Sequence, residues 1–188
     1  LPPKYDGESI KKWLKDPYNL LFVGLILITL IVRFHYYNIT SEQPTWWDEG
    51  DYLAIAKEIA IPSAETPEWW SHFASIRPPL MSLVWAFFIK MNSSEAIMRL
   101  FTVVLPSVIL IIFTYLFGAS LFNKKIGLIA GYLFSIYWSL QFYSYRFLTD
   151  IPTVMFAMMS LYFFWEHHVK RKKAIGLYLA VLFGMLGT

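Results

Sequence analysis

The sequence predicts an all-α integral membrane protein, a bundle of transmembrane helices. Three observations lead there. Apolar residues make up 57% of the 188-residue chain, against ~45–50% in an ordinary soluble domain, and the mean hydropathy is +0.48. They gather in blocks, several of them near the ~20 residues that a spanning helix needs. Lys and Arg clusters punctuate those blocks as they do in cytoplasmic loops. The chain has no cysteine, which excludes disulfides and thiolate metal sites. Its net charge of +3 is small, and no nucleic-acid partner is expected.

The elements follow in order. Residues 1–17 are polar, carry Lys4, Lys11, Lys12 and Lys15, and form an N-terminal segment. Residues 18–34 are the first span (TM1), with Pro17 at a natural helix start. This block does not read as a cleavable signal peptide, because its polar lead-in is long and no small-residue cleavage site follows. A long loop covers 35–94. Within it, Asp48 or Glu49 can cap a helix to about Ile59, with Tyr52, Ile55, Ala56 and Ile59 at helical spacing. Pro62 and Pro67 then interrupt the chain, and Trp69, Trp70, Phe73 and Ile76 suit a short amphipathic turn at a membrane interface. Residues 78–91 are apolar but too short to span comfortably. Three spans come next, at 95–122 (TM2), 126–145 (TM3) and 151–168 (TM4). Residues 174–188 begin a fifth (TM5), and the chain reads as truncated there, the N-terminal part of a longer protein. Asn38-Ile39-Thr40 and Asn92-Ser93-Ser94 are formal glycosylation acceptors.

Charge sets the expected topology. Lys124-Lys125 follows TM2 and Lys170-Arg171-Lys172-Lys173 follows TM4, whereas 35–77 is dominated by Asp and Glu. The positive-inside rule puts the N-terminus and the basic clusters in the cytoplasm and the acidic loop outside. That arrangement requires 78–91 to be interfacial or re-entrant, because a further span would carry both clusters outside. Arg146 and Asp150 then share the outer side with Asp48.

Each charged group near hydrocarbon has a plain reading and a functional one. Asp48 and Glu49 suit a helix N-terminus, where carboxylates are favoured, or else a general base or metal ligand. Arg77 before Pro78-Pro79 can snorkel at the interface, or its planar fork can hold phosphate oxygens. Arg146 and Asp150 can pair locally, yet charges between two spans mark a functional site by default. Asp51 and Glu58 read as solvated helix faces. Arg33 and Arg99 read as interfacial, with Arg99 able to join an anion site. His35, His72, His167 and His168 form no ligand pattern, and the aromatic stripe from Tyr132 to Tyr145 reads as packing. Carboxylates beside arginines at headgroup level suit an anionic lipid substrate. Positive charge stabilises a phosphate leaving group, and a carboxylate can take the proton of an incoming hydroxyl.

Three motifs carry a family resemblance. Asp48-Glu49 lies within "WWDEGDYLAIAKEIA" in the first outside loop, a basic residue precedes Pro-Pro-Leu at Arg77-Pro78-Pro79-Leu80, and Arg146, Thr149, Asp150 and Pro152 open TM4. In this order the chain resembles the GT-C superfamily of membrane glycosyltransferases, in particular the protein O-mannosyltransferase and aminoarabinose-transferase branch (family 39). The resemblance implies a GT-C-type helix bundle with juxtamembrane helices. It implies inverting transfer of a sugar from a polyprenyl-phosphate donor, dolichyl or undecaprenyl, to a hydroxyl acceptor on a protein, lipid or glycan. Asp48 would be the base with Glu49 assisting, and Arg77 and Arg146 would hold the lipid phosphate. Asp150 would support them or bind a divalent cation. Metal use varies in the superfamily, so no cofactor is fixed.

Two readings from other classes are weighed against it. A transporter or flippase of lipid-linked sugars would place charges deep within discontinuous helices, whereas these charges sit at helix ends. A non-catalytic membrane subunit would be indifferent in function to Asp48→Asn.

Overall fold

The computed structural model describes residues 11, 13–40, 42–62 and 77–187. The turn expected around Trp69, Trp70, Phe73 and Ile76 lies outside the described residues, as does His72. Every regular element among the described residues is helical. In chain order they are α1 (Pro17–Thr40), α2 (Glu49–Ala60), α3 (Pro79–Lys90), α4 (Glu95–Leu121), α5 (Lys124–Ile136), α6 (Trp138–Tyr143), α7 (Asp150–Phe163) and α8 (Ala174–Leu186). Among the described residues, α1 and α4 are long and apolar enough to cross a membrane.

The helix ends are set by local chemistry. Asp16 accepts the Tyr18 N–H at 2.9 Å and ties α1 to the start of α5 through Lys124 at 2.5 Å. The Lys124 hydrogen bond holds the Asp16 carboxyl below the usual carboxylate range. At its other end, α1 runs on to Thr40, six residues beyond the expected end of TM1 at 34. His35 to Thr40 contains no breaker, and the chain leaves the helix only before Pro44, where the residue preceding a proline disfavours the α region. Asn123 caps α5 by accepting the Ile126 N–H at 3.0 Å, which makes the α4–α5 turn tight.

Helix α4 is the centre of the bundle: α1, α5 and α7 pack on it, and α8 packs on α7. Close approach of α4 and α5 rests on Gly127. A Cβ there would sit 2.6 Å from the Tyr115 carbonyl oxygen and 2.8 Å from the Ala119 nitrogen. At the opposite end from Thr40, buried Glu166 joins the π-type turn Phe164–Lys170 to Ser120 of α4. It pairs with Lys170 at 3.1 Å and Arg171 at 2.7 Å.

TM3 is not the single helix expected at 126–145. The helix stops at Ile136, Tyr137 is extended (φ −64°, ψ 120°), and α6 restarts at Trp138. The break is stabilised because the Gln141 side-chain amide donates to the Ser135 carbonyl at 3.2 Å, supplying a partner to a carbonyl near the helix end. Helix α4 also carries an irregularity, a π-type turn at Leu100–Val104 just before Pro106.

Helices α2 and α3 form a pair beside this bundle, with α3 touching the π-type turn of α4. Helix α3 has 12 residues, about 18 Å at ~1.5 Å per residue, well short of the ~30 Å hydrocarbon core. The pair closes over Trp85, which is fully buried. Its ring meets Tyr52 edge-on at 5.9 Å and Phe147 at 5.7 Å, and its Nε1 donates to Thr102 Oγ1 at 2.7 Å. A single aromatic column therefore links α2, α3, α4 and the segment that leads into α7.

Candidate active site

The candidate site is built where the loop before α2 meets the segment 144–149 before α7. Glu49, the first residue of α2, is 1% exposed. Its Oε2 accepts the Trp46 N–H at 2.6 Å and faces Arg146 Nη1 at 3.1 Å, and its Oε1 accepts the Phe147 N–H at 2.7 Å. Helical spacing explains the burial, because Glu49, Tyr52, Leu53 and Ala56 lie on one face and that face packs inward. Ile59, read from the sequence as part of that face, is 38% exposed, and Leu53 is buried in its stead.

Arg146 is held from several directions. Its Nη1 also donates to the Pro44 carbonyl at 3.3 Å, its Nη2 donates to Gln43 Oε1 at 3.0 Å, and the guanidinium lies 5.3 Å from the Phe142 ring centroid. The Glu49–Arg146 pair is desolvated on the carboxylate side, so either partner alone would be a costly buried charge.

Asp48 behaves differently from its neighbour. It occupies the N-cap position of α2 but makes no side-chain cap bond. Its carboxylate turns instead to Arg77, with Nη1 at 2.8 Å. Arg77 reaches Asp51 at 3.6 Å and lies 5.2 Å from the Tyr52 ring centroid. The hydrogen bond to Asp48 pushes the Arg77 guanidinium above the ordinary arginine pKa. Asp51, expected to be solvated, thus takes part in the Arg77 contacts. The Asp48 and Arg77 side chains remain 28% and 22% exposed, so this pair is open to exchange with a ligand in a way that Glu49–Arg146 is not.

Two cavities flank these groups. The first, about 290 Å³, is lined by Trp46, Trp47, Asp48, Tyr143, Leu148 and Asp150. Two of the three carboxylates expected at the site, Asp48 and Asp150, therefore face one cleft, and Glu49 does not line it. Asp150 opens α7, where the helix dipole favours negative charge. Trp47 stands at the cleft with a left-handed backbone (φ 50°) and 76% of its surface exposed. The second cavity, about 250 Å³, is lined by Arg146, Tyr36, Thr40, Gln43, Gln141 and Tyr145 with apolar neighbours. Trp46 of the first cavity meets Phe142 of the second edge-on at 5.1 Å, so these two rings form the wall between them.

A family model described as dolichyl-phosphate-mannose-protein mannosyltransferase matches residues 76–187, more than half of the chain. The chain belongs to this family. It is accordingly a membrane glycosyltransferase of the GT-C type. The matched span contains Arg77, Arg146 and Asp150, while Asp48 and Glu49 precede it. No curated protein and no solved structure matches the chain.

For a member of this mannosyltransferase family, the linings divide the chemistry: carboxylates in one cavity, a guanidinium in the other. No group of three His, Asp or Glu side chains that could hold a metal ion occurs among the described residues. A cation in the first cleft would rely on Asp48 and Asp150. Tyr52 reads from the sequence only as part of a helix face and Thr149 only as part of the motif opening TM4; their hydroxyls lie 3.3 Å apart and join α2 to the residue before α7. Arg33 and Arg99, expected at the interface, are 1% and 7% exposed. Arg99 donates to the Thr40 carbonyl at 3.3 Å and lies 5.0 Å from the Phe147 ring centroid. Arg33 is buried because α1 continues past it and α4 packs alongside, and Arg99, on α4, is covered by the end of α1 and by Phe147.

Proposed function

We propose that this protein transfers a sugar from a polyprenyl-phosphate donor, dolichyl or undecaprenyl, to a hydroxyl acceptor on the outer membrane face, with inversion. Mannose and a protein hydroxyl, the sugar and acceptor named in the family description, are the first pair to test. The observation that carries the reading is the shared cleft of Asp48 and Asp150, with Arg77 on Asp48 and the Arg146 cavity behind one aromatic wall.

The transfer is a single displacement. The acceptor oxygen bonds to the anomeric carbon as the bond from that carbon to the phosphate oxygen breaks. The hydroxyl proton passes to Asp48, and the electron pair leaves on the polyprenyl phosphate, whose growing charge Arg77 and Arg146 stabilise. Inversion follows from attack opposite the leaving group. Asp150 orients the acceptor or, with Asp48, holds a divalent cation. Glu49 assists by fixing Arg146 and the Trp46 loop, not by accepting the proton.

The assay is sugar transfer by the full-length protein from radiolabelled polyprenyl-phosphate mannose. Arg77→Ala is expected to lower kcat/KM by about ten- to a hundredfold, the range of a charge-assisted contact to phosphate. Undiminished transfer by this variant removes Arg77 from the site. In the proposed topology the N-terminus and the α4–α5 turn are cytoplasmic. A cysteine in the Asn123→Cys variant should therefore resist an impermeant maleimide in intact cells and react after permeabilisation. Labelling of intact cells overturns that orientation.

A further inference from the structure

Arg33 is a buried arginine for which the described residues supply no ion pair. It is 1% exposed, its Nε donates to Ser107 Oγ at 3.2 Å, and its Nη1 is buried without a well-formed hydrogen bond. Among the described residues no carboxylate lies within ion-pair distance of it. Arg77 and Arg146, by contrast, are matched by Asp48, Asp51 and Glu49. A lone cation inside a spanning helix is costly and by default marks function.

Its surroundings point to a ligand. Arg33, Tyr36 and Thr40 share one face of α1, at intervals of three and four residues. Tyr36 and Thr40 line the second cavity, and Arg33 lies one turn below them. Tyr145 lines the same cavity, stacks on Tyr36 at 5.5 Å and is 4% exposed. Its hydroxyl, like Arg33 Nη1, is buried without a well-formed hydrogen bond, and the two side chains have each other as polar neighbours. A buried guanidinium with only neutral hydroxyls, Ser107 and Tyr145, as polar neighbours thus sits beside a cavity whose rim carries Arg146. The lip is apolar: Ile39 and Trp138 are 57% and 67% exposed there, which suits a ligand arriving from the bilayer.

We infer that Arg33 and Tyr145 form the floor of a phosphate-binding subsite in the Arg146 cavity, which takes the phosphate of a lipid carrier. This inference rests on the lipid-phosphate donor proposed above. Arg146 is already neutralised by Glu49, so Arg33 supplies the net positive charge that the phosphate needs once it has left the sugar and gained negative charge.

The test uses full-length protein in nanodiscs, with undecaprenyl phosphate, undecaprenol and inorganic phosphate as probes. Binding and melting are measured for wild type, Arg33→Met, Arg33→Lys and Tyr145→Phe. Undecaprenyl phosphate should bind wild type and raise its Tm, and undecaprenol should do neither. Arg33→Met should weaken phosphate binding about ten- to a hundredfold, Arg33→Lys should recover part of it, and Tyr145→Phe should lose about two- to tenfold. Without ligand, Arg33→Met should melt no lower than wild type, because it removes an uncompensated buried charge. Competition by inorganic phosphate would assign the site to the phosphate group alone; its failure to compete would assign it to the intact lipid.

Unchanged undecaprenyl-phosphate binding in both Arg33→Met and Tyr145→Phe overturns the subsite and leaves the donor reading standing. A ligand-free Tm loss in Arg33→Met, with normal binding by Tyr145→Phe, makes Arg33 a structural anchor and also overturns it. Failure of wild type to bind any lipid phosphate removes the donor reading and the subsite together.

Discussion

Asp48→Asn is expected to abolish most sugar transfer while leaving the protein folded. General-base catalysis contributes about 10²- to 10⁴-fold, and the loss should appear in kcat, with KM for the donor nearly unchanged. The stability cost should be small. Asp48 makes one hydrogen bond to Arg77, both side chains are more than a fifth exposed, and exposed pairs contribute ~0–1 kcal/mol. An asparagine oxygen can still accept from Arg77 Nη1. Single-turnover transfer from radiolabelled donor, alongside a melting curve, checks both halves. Full activity in the folded variant would sink the assignment of Asp48 as base and favour a non-catalytic subunit.

Glu49→Gln should give the opposite phenotype one residue away. Its two carboxylate oxygens meet the Trp46 and Phe147 N–H groups and Arg146, all donors. A carboxamide presents an NH₂ to one side of that set, so a donor must face a donor, and Arg146 loses its counter-charge. Breaking one partner of a buried pair costs ~3–5 kcal/mol, so Tm should fall sharply. The kcat of the fraction that remains folded should fall far less than in Asp48→Asn, while KM for the donor should rise as Arg146 loosens. A normal melting curve with a kcat loss as deep as that of Asp48→Asn would instead make Glu49 part of the proton-transfer step.

The opposed environments of these adjacent carboxylates show what the sequence could carry. Composition and block length gave the helical membrane class, and the three motifs led to the family. Periodicity pointed to α2 but misplaced one of its packed positions: Leu53 is buried and Ile59 is not, because α3 covers only part of the face. Nothing in "WWDEGDY" says which carboxylate turns inward. That depends on Phe147 and Arg146, about a hundred residues downstream. The break at Tyr137 was invisible because it contains neither proline nor glycine and is stabilised by a side chain, Gln141, that follows it. Arg33 looked interfacial because the apolar run ends there, whereas the helix itself does not.

The Glu49 staple also has a consequence in time. Its partner Phe147 is 98 positions away in the chain. At a synthesis rate of ~5–20 residues per second, that gap is on the order of 5–20 s. During this interval the loop of Trp46 and Trp47 and the first turn of α2 have no Phe147 or Arg146 to close against. The candidate site can therefore be assembled only after the chain between α6 and α7 has emerged, which makes its formation a late event of membrane insertion.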